Sequence, residues 1–150
     1  MEVTIRNYQK KINLNVPQII KITTRILKSE GLKRACLSVV FVTSQKISSL
    51  NKKYLHRCCS TDVLAFDLKD ADNFSKDILI GDIIISTDAV IHNSRLFKTT
   101  YAYELVLYIA HGILHLLGFD DQKKKSIKQM RRKEKKVMTL VANYINASIR

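Results

Sequence analysis

The sequence predicts an α+β domain in which a small mixed β-sheet and several helices surround one buried central helix. Its 150 residues match the size of one domain and suffice for a substantial core, so we expect a single domain over residues 1–150. Short β-branched runs, typical of strands, alternate with longer segments whose apolar residues recur every three or four positions, as in helices. Residues 100–117 combine helical length with apolar residues on almost every side, which indicates a helix enclosed by protein.

The first half of the chain is expected to contain three strands and two helices. Asn15 is expected to cap a first helix that ends at Gly31, and Ser44 to cap a second helix that runs to about Leu55. A polar loop at residues 56–61 follows the second helix. Alternating or β-branched apolar residues indicate strands at residues 2–13, 36–42 and 63–66.

The second half is expected to contain one further strand and three helices. Residues 78–86 are apolar on both faces apart from Gly81 and Asp82, which indicates a strand covered on both sides with a local irregularity at the glycine. The other expected elements are a solvated connection at 70–77, a short helix capped by Thr87 or Asp88 and ending at Arg95 or Leu96, the central helix at about 100–117, and a last helix at about 123–147.

The composition limits the class of protein. Twenty-six Lys and Arg residues against 13 Asp and Glu residues give a net charge of +13, well beyond what solubility requires, so we expect an anionic partner. Cys36, Cys58 and Cys59 form an odd set without the spacing of a disulfide framework, which favours a reducing compartment. No apolar run reaches the roughly 18 residues of a membrane span. We therefore expect a cytoplasmic protein that is not embedded in a membrane.

Two histidines on the central helix are the first candidates for a functional site. His111 and His115 are four residues apart and share one helix face. At 100 degrees per residue, Glu104 and Tyr108 fall on the same narrow stripe, while the rest of the helix is apolar. Buried polar groups need partners, so this stripe is expected to face a cleft or paired side chains.

The spacing of the two histidines suits a metal ion. Imidazoles at positions i and i+4 can both reach one zinc ion, and Gly118, by ending the helix in a left-handed conformation, would bring Asp120 or Asp121 over the same face. Two histidines and a carboxylate are an acceptable zinc ligand set that leaves one coordination position open. Gly112 costs on the order of 1 kcal/mol against alanine inside a helix, which predicts that another backbone passes close by.

The reaction class can be narrowed from the same residues. Metalloproteases with two histidines at this spacing use the glutamate after the first histidine as their general base, and here that residue is Gly112. Phosphodiester hydrolysis needs a Lewis acid on a phosphoryl oxygen, which a zinc ion provides. An RNA strand also brings its own nucleophile, the 2′-hydroxyl, although water remains an equal alternative. RNA cleavage is therefore favoured over peptide cleavage.

A basic segment follows the histidines. Between Lys123 and Lys136 there are nine Lys or Arg and one Glu, a net charge of +8 out of the total of +13. Charge concentrated in this way predicts contacts to the phosphates of a nucleic acid, which position a strand without reading its bases. The residues expected to make these contacts are Lys123, Lys124, Lys125, Lys128, Arg131 and Arg132.

Residues 111–121 resemble the metal-site signature H-G-x-L-H-L-x-G-x-D-H of the YbeY family of bacterial endoribonucleases. Every specified position matches except the last, where Asp121 replaces a histidine. Other segments that resemble the family lie between the second helix and the end of the chain and make the resemblance highly specific. They are Leu50-Asn51 with Tyr54, Thr61-Asp62-Val63-Leu64 with Phe66, Gly81-Asp82-Ile83 with Ser86, Glu104-Leu105, and Met130 with Glu134.

The resemblance implies a YbeY-type, zincin-like fold and a metal-dependent endoribonuclease specific for single-stranded RNA. It implies roles in the 3′-end maturation of small-subunit ribosomal RNA and in ribosome quality control, with ribosomal RNA and the small subunit as partners. The expected ligands of one Zn²⁺ ion are His111, His115 and Asp121, with Glu104 and Asp120 supporting them. Another divalent metal, such as manganese, is an alternative because a carboxylate suits harder ions.

Two departures from the family fall on functional positions. Asp121 adds a negative charge that lowers the Lewis acidity of the metal, which predicts a weaker or slower enzyme. Family members usually carry an arginine directly after the tyrosine that corresponds to Tyr54, and here that residue is Leu55; Arg57 is the candidate to replace it in catalysis. The alternative is a ribosome-associated RNA-binding assembly factor whose metal and nuclease site has degraded.

Overall fold

A four-stranded mixed sheet forms the framework of the chain in the computed structural model, which describes residues 1–57, 61–70 and 75–150. The strands are β1 (Glu2–Asn7), β2 (Arg34–Val42), β3 (Val63–Asp67) and β4 (Ile78–Ser86), and they lie in the order β1-β2-β4-β3. The first three of this order are parallel, and β3 runs antiparallel to β4 at the edge of the sheet. The predicted α+β class with a small mixed sheet is confirmed.

Five α-helices connect and cover these strands. In the described ranges they are α1 (Val16–Ser29), α2 (Ser44–Leu55), α3 (Thr87–Leu96), α4 (Tyr101–Leu116) and α5 (Lys124–Val141). The predicted last helix to residue 147 was wrong in one respect, because its final turns, Ala142–Ser148, are a 3₁₀-helix. None of the helices in the described part of the chain is long and apolar enough to cross a membrane.

Two of the predicted helix caps were wrong by one residue, and a third was correct in position only. Thr43, not Ser44, caps α2, and Ser86, not Thr87 or Asp88, caps α3; each cap side chain accepts the backbone N–H three residues on. Asn15 does occupy the cap position of α1, but its side chain makes no capping hydrogen bond. In α2 and α3 the hydroxyl one residue earlier than predicted is the one placed to reach a free N–H of the first turn.

The first strand ends at Asn7, earlier than the predicted residue 13. Beyond it, the buried side chain of Gln9 accepts the backbone N–H groups of Lys11 and Ile12 at 2.8 and 2.9 Å and donates to the carbonyl of Ile12 at 2.9 Å. These bonds replace a strand ladder, so Ile12 still reaches the core although the chain is no longer extended. The alternation of apolar residues therefore predicted the burial of Ile12 correctly but predicted the wrong backbone conformation beyond Asn7.

Two predicted connections are described only in part. Residues 58–60 of the first and 71–74 of the second lie outside the described ranges, and Cys58 and Cys59 fall among them. Cys36 lies on β2 as an exposed free thiol.

The central helix α4 packs on one face of the sheet and is covered by α1, α3, α5 and the 3₁₀-helix. A Cβ atom at Gly112 would meet Cγ2 of Ile83 on β4 at 2.7 Å, so the predicted close approach exists but involves a side chain rather than a backbone. At Gly81, a Cβ atom would meet the Phe66 carbonyl oxygen at 2.8 Å and the Leu116 side chain at 2.9 Å. The two glycines therefore let helix and sheet approach each other closely.

The expected irregularity at Gly81 is absent, because the pairing of β4 with β2 continues through this residue. The expectation that β4 is covered on both sides was only half correct. One face, with Leu79, Ile83 and Ile85, is fully buried under α4. The other face, which includes Ile84, is half-buried. It packs against a smaller cluster of Val42, Ile47 and Leu64 beside α2.

The contact between Gly112 and Ile83 predicts a specific stability effect. Gly112→Ala should lower the free energy of unfolding by about 1–3 kcal/mol, the usual range for an added methyl group in a packed core. In an Ile83→Ala background, the same change should be neutral or stabilising because the new methyl group fills vacated space. Urea denaturation of the native protein, the two single variants and the double variant measures the coupling energy between the two positions. An equal loss of stability on Gly112→Ala in both backgrounds would contradict the contact.

Candidate metal centre

Two imidazole rings lie side by side at the surface of α4. The Nε2 atoms of His111 and His115 are 2.9 Å apart, and the ring centroids are 4.5 Å apart at nearly right angles. The side chains are only 19% and 30% exposed, so they are recessed rather than displayed. The four-residue spacing places both rings on one helix face, as the sequence predicts.

A tight turn after α4 brings a carboxylate to these rings. Gly118 has φ of +97°, and the N–H groups of Gly118 and Phe119 donate back to the carbonyls of His115 and Leu114 at 3.0 Å, which is the Schellman pattern of a helix end. Asp121 Oδ2 then lies 3.6 Å from His111 Nε2 and 3.8 Å from His115 Nε2. The predicted reversal at Gly118 is therefore present.

The three atoms have the spacing of ligands on one small ion. His111, His115 and Asp121 offer ligand atoms that all lie within 4.8 Å of one another. Two ligands at 2.0–2.1 Å from a tetrahedral zinc ion are about 3.3 Å apart, and the three separations of 2.9, 3.6 and 3.8 Å lie around this value. The donor set fits a divalent metal ion.

A buried carboxylate supports His111 from the opposite side. Glu134 on α5 contacts His111 Nδ1 through Oε1 at 2.6 Å and accepts from Arg131 Nη1 through Oε2 at 3.0 Å. Burial alone would raise the pKa of Glu134, but the bonds from His111 and Arg131 outweigh it and lower the pKa below the ordinary value. The ionised carboxylate of Glu134 favours the proton on Nδ1 of His111. The lone pair of His111 Nε2 is then directed toward His115 and Asp121.

Beyond its match to the family pattern, Glu134 carries a second sequence signal, which indicates a paired and buried carboxylate. Glu134 is one charged residue on the apolar stripe of α5, three or four positions from Met130, Val137 and Met138. A carboxylate in such a place needs a partner, because an unpaired buried charge is costly. Glu104 and Asp120 were expected to support the histidines, but the carboxylate that contacts His111 is Glu134.

The environment of His115 favours its neutral form. Burial and the neighbouring His111 lower the pKa of His115 below its ordinary value of 6.5, more than the carboxylates of Asp121 and Asp120 and a hydrogen bond to the Phe119 backbone raise it. A neutral imidazole at pH 7 has a lone pair to donate to a metal ion. Folding therefore favours the form of His115 that a metal ion requires, and this advantage diminishes as the pH falls below about 6.5.

Glu104 and Tyr108 are more deeply placed than the histidines, with 3% and 8% exposure. Glu104 accepts a hydrogen bond from the Thr99 hydroxyl at 2.5 Å, ahead of the first turn of α4. The Tyr108 hydroxyl is bonded to Asn93 and lies 3.4 Å from Oδ2 of Asp62. Burial, with the nearby Asp62 and Glu104 carboxylates, raises the pKa of Tyr108, so its hydroxyl stays protonated.

Asp120 is exposed and acts on the turn itself. Its Oδ1 accepts the backbone N–H of Gln122 at 3.3 Å, a local bond that helps hold the segment carrying Asp121. Asp120 thus supports the site through a contact to the backbone of the turn, not through a contact to a histidine.

The histidines lie in a cleft of about 1080 Å³ between α4, α5 and the edge strand β3, which we call the metal cleft. Its wall also includes Leu55 and Arg57 at the end of α2. His56 between them has φ of +53° and ends the helix, and this turn carries Arg57 into the wall. Arg57 therefore faces the same cleft as His111, His115 and Asp121.

The predicted phosphate contacts divide into two sets. Of the described residues that line the metal cleft, Arg131 is the one that belongs to the predicted basic set. At 100 degrees per residue on α5, Lys124, Lys128, Arg131 and Lys135 form one stripe beside the buried face, which we call the basic stripe. Lys125 and Arg132 lie further round the helix, and Lys123 precedes it. The basic stripe leads from the cleft along the helix surface.

The fold and this group together define a small α+β protein with a recessed histidine-histidine-aspartate site beside a cationic helix. A family model described as endoribonuclease YbeY matches residues 4–142. The chain belongs to the endoribonuclease YbeY family.

Individual relatives agree with the family model. An endoribonuclease YbeY of Syntrophus aciditrophicus is 30% identical over 148 residues, covering 96% of this chain and 92% of the relative. Another, of Azobacteroides pseudotrichonymphae, is 39% identical over 123 residues, covering 79% and 84%. The solution structure of TM1509 from Thermotoga maritima superimposes with a TM-score of 0.64 at 27% identity, covering 97% of this chain and 93% of that chain.

The contact between Glu134 and His111 predicts an effect on metal affinity. Glu134→Gln should raise the dissociation constant of the metal by about 10–100-fold, the usual effect of losing a carboxylate behind a ligating histidine. The matched control is Glu30→Gln, because Glu30 is also a nearly buried carboxylate paired to α5, through Lys133 at 2.7 Å. Competition with a chelator measures both variants, and equal metal affinities would contradict the role of Glu134.

Proposed function

We propose that the protein is a metal-dependent endoribonuclease that cleaves single-stranded RNA in the 3′-end maturation of small-subunit ribosomal RNA. The observation that carries the proposal is the histidine-histidine-aspartate group recessed in a cleft beside the basic stripe. The proposal extends to ribosome quality control, with the small subunit as partner. A ribosomal substrate implies a cytoplasmic location.

We propose His111, His115 and Asp121 as the ligands of one Zn²⁺ ion, with Glu134 orienting His111. When bound, the ion supplies a Lewis acid that stabilises negative charge on a phosphoryl oxygen. The donor atoms support this assignment, since two imidazole nitrogens and one carboxylate oxygen are spaced for a tetrahedral ion. Manganese is the alternative that the carboxylate of Asp121 favours.

The residues around the ligands are proposed to hold the RNA. Arg57, in the wall of the metal cleft, is the candidate to contact the scissile phosphate. Arg131 is paired to Glu134 and lies where the basic stripe meets the metal cleft. Guanidinium groups suit phosphates because they donate two parallel hydrogen bonds. We propose that the other basic residues, Lys123, Lys124, Lys125, Lys128 and Arg132, contact phosphates further along the strand.

A second function, an RNA-binding assembly factor without nuclease activity, is favoured by one observation. Leu55 lines the metal cleft with an uncharged side chain, at the position where the resemblance implies an arginine. Under this alternative the basic stripe still binds RNA, but the chain does not cleave it. Metal content and cleavage therefore distinguish the two functions.

The nuclease proposal predicts the behaviour of two variants in a ribonuclease assay with single-stranded RNA. His115→Ala should lose the metal and reduce cleavage by at least about 100-fold, because a ligand is removed. Asp121→His should raise the rate, because a neutral ligand increases the Lewis acidity of the ion. His92→Ala, which removes an exposed histidine outside both site and cleft, is the control. A folded native protein that holds no metal and leaves RNA intact would support the assembly factor instead.

The basic stripe predicts a salt-dependent affinity. Each phosphate contact to a single strand contributes about 0.7 to the slope of log K against log salt. Lys124→Gln with Lys128→Gln should therefore reduce this slope by about 1.4, whereas Lys10→Gln with Lys21→Gln, which removes as much charge elsewhere, should leave it unchanged. Fluorescence anisotropy of a labelled RNA over a salt series measures the slopes. Equal reductions in both double variants would show that only net charge matters.

A further inference from the structure

A second cleft, of about 690 Å³, lies beside the first turns of α4. Asp121 follows the opposite end of this helix. It is formed by the beginning of α4, the last part of α5 and the 3₁₀-helix, and we call it the side cleft. Its volume falls in the range of roughly 300–1,000 Å³ that is usual for small-ligand sites. The function proposed above assigns no ligand to this cleft.

The side cleft is continuous with the metal cleft. Five residues line both of them: Thr99, Tyr103, Leu107, Arg131 and Glu134. Tyr103 and Leu107 lie on the same side of α4 as His111, eight and four residues before it. At a rise of 1.5 Å per residue, Tyr103 is about 12 Å along the helix axis from His111. A strand bound at the metal centre can therefore extend into the side cleft.

The lining of the side cleft has two chemical parts. Its apolar part consists of Leu107 with Met138 and Ile145, which are 5% and 7% exposed, and the Tyr103 ring, which is 37% exposed. Its cationic part is Arg131 and Lys135, both on the basic stripe. The negative charge of Glu134 is already paired with Arg131 at 3.0 Å. A ligand with a flat apolar portion and an anionic group is complementary to this lining.

We propose that the side cleft binds one nucleotide of the RNA strand next to the site of cleavage, with its base against Tyr103 and its phosphate at Lys135. This inference rests on the proposed nuclease function and adds a subsite to it. Stacking on an aromatic ring tolerates any base, so the subsite binds single-stranded RNA without reading its sequence. It also requires an unpaired base, because a base within a duplex is not free to enter a cleft.

The test uses the metal-loaded protein and a short single-stranded RNA oligomer. Tyr103→Leu should raise the Kd about tenfold, a loss typical of one stacked base, while Tyr103→Phe keeps the native value. The cap of α4 is not disturbed, because the Thr100 hydroxyl accepts the backbone N–H of Tyr103, which the substitutions keep. Tyr8→Leu is the control, since Tyr8 is 66% exposed and lines neither cleft.

A second measurement locates the base. In a series of RNA oligomers with one abasic position each, the position that occupies the side cleft should weaken binding to the native protein about tenfold and leave binding to Tyr103→Leu unchanged. Lys135→Gln should lower the salt slope by about 0.7, and the neighbouring Lys136→Gln, outside both clefts, should not.

The outcomes separate this inference from the function on which it rests. If the native protein cleaves RNA but Tyr103→Leu binds as tightly as native and no abasic position couples to it, the subsite is wrong and the nuclease proposal stands. If the native protein neither binds nor cleaves RNA, both are overturned. If only Lys135→Gln has an effect, the side cleft holds a phosphate without a stacked base, and the proposal in this form is rejected.

Discussion

The close approach of α4 to the sheet is the constraint on which the rest of the site depends. Gly112 accommodates the Ile83 side chain, and Gly81 accommodates Leu116, so the helix and β4 interlock at two points about one turn apart. Two such contacts fix both the height of the helix above the sheet and its rotation. Rotation decides the site, because a shift of one residue would turn His111 by 100 degrees away from the cleft.

The electrostatics of the metal centre follow from which groups this rotation brings together. Asp121 contributes the one negative charge among the three candidate ligands, and the charge of Glu134 behind His111 is balanced by Arg131. Two carboxylates near one ion would repel each other if both were unpaired, but the exposed guanidinium of Arg131 relieves this. If Asp121 binds the ion, it joins a centre in which the second carboxylate, that of Glu134, is already paired with Arg131.

The sequence predicted those parts of the site that lie close together along the chain. His111, His115, Gly118 and Asp121 fall within one helix end and its turn, so periodicity and the conformational preference of glycine were sufficient. The contact between His111 and Glu134 joins residues 23 positions apart on different helices, and no local pattern specifies how two helices pack. The same reasoning applies to Tyr103, because its place in the side cleft depends on how α4 packs against α5 and the 3₁₀-helix.

Errors in the fold had a similar origin. Apolar alternation predicted a strand as far as residue 13, but a single buried glutamine satisfies the backbone there and turns the chain. Hydropathy reports which side chains are buried, whereas hydrogen bonds decide the path of the backbone between them. The fold class was predictable because it depends on which side chains are buried. The paths of the loops were not predictable, since they depend on individual hydrogen bonds.

The shape of the two clefts bears on the kind of RNA that can reach the metal centre. The histidines are recessed, so a phosphate must enter the metal cleft to approach them, and under the proposed subsite the strand that carries it continues past Tyr103 into the side cleft. In an A-form duplex the bases are stacked and paired, and its backbone cannot follow such a path without breaking base pairs at a cost of a few kcal/mol. An unpaired strand avoids this cost. On this proposal, specificity for single strands follows from cleft geometry and requires no contact that distinguishes one base from another.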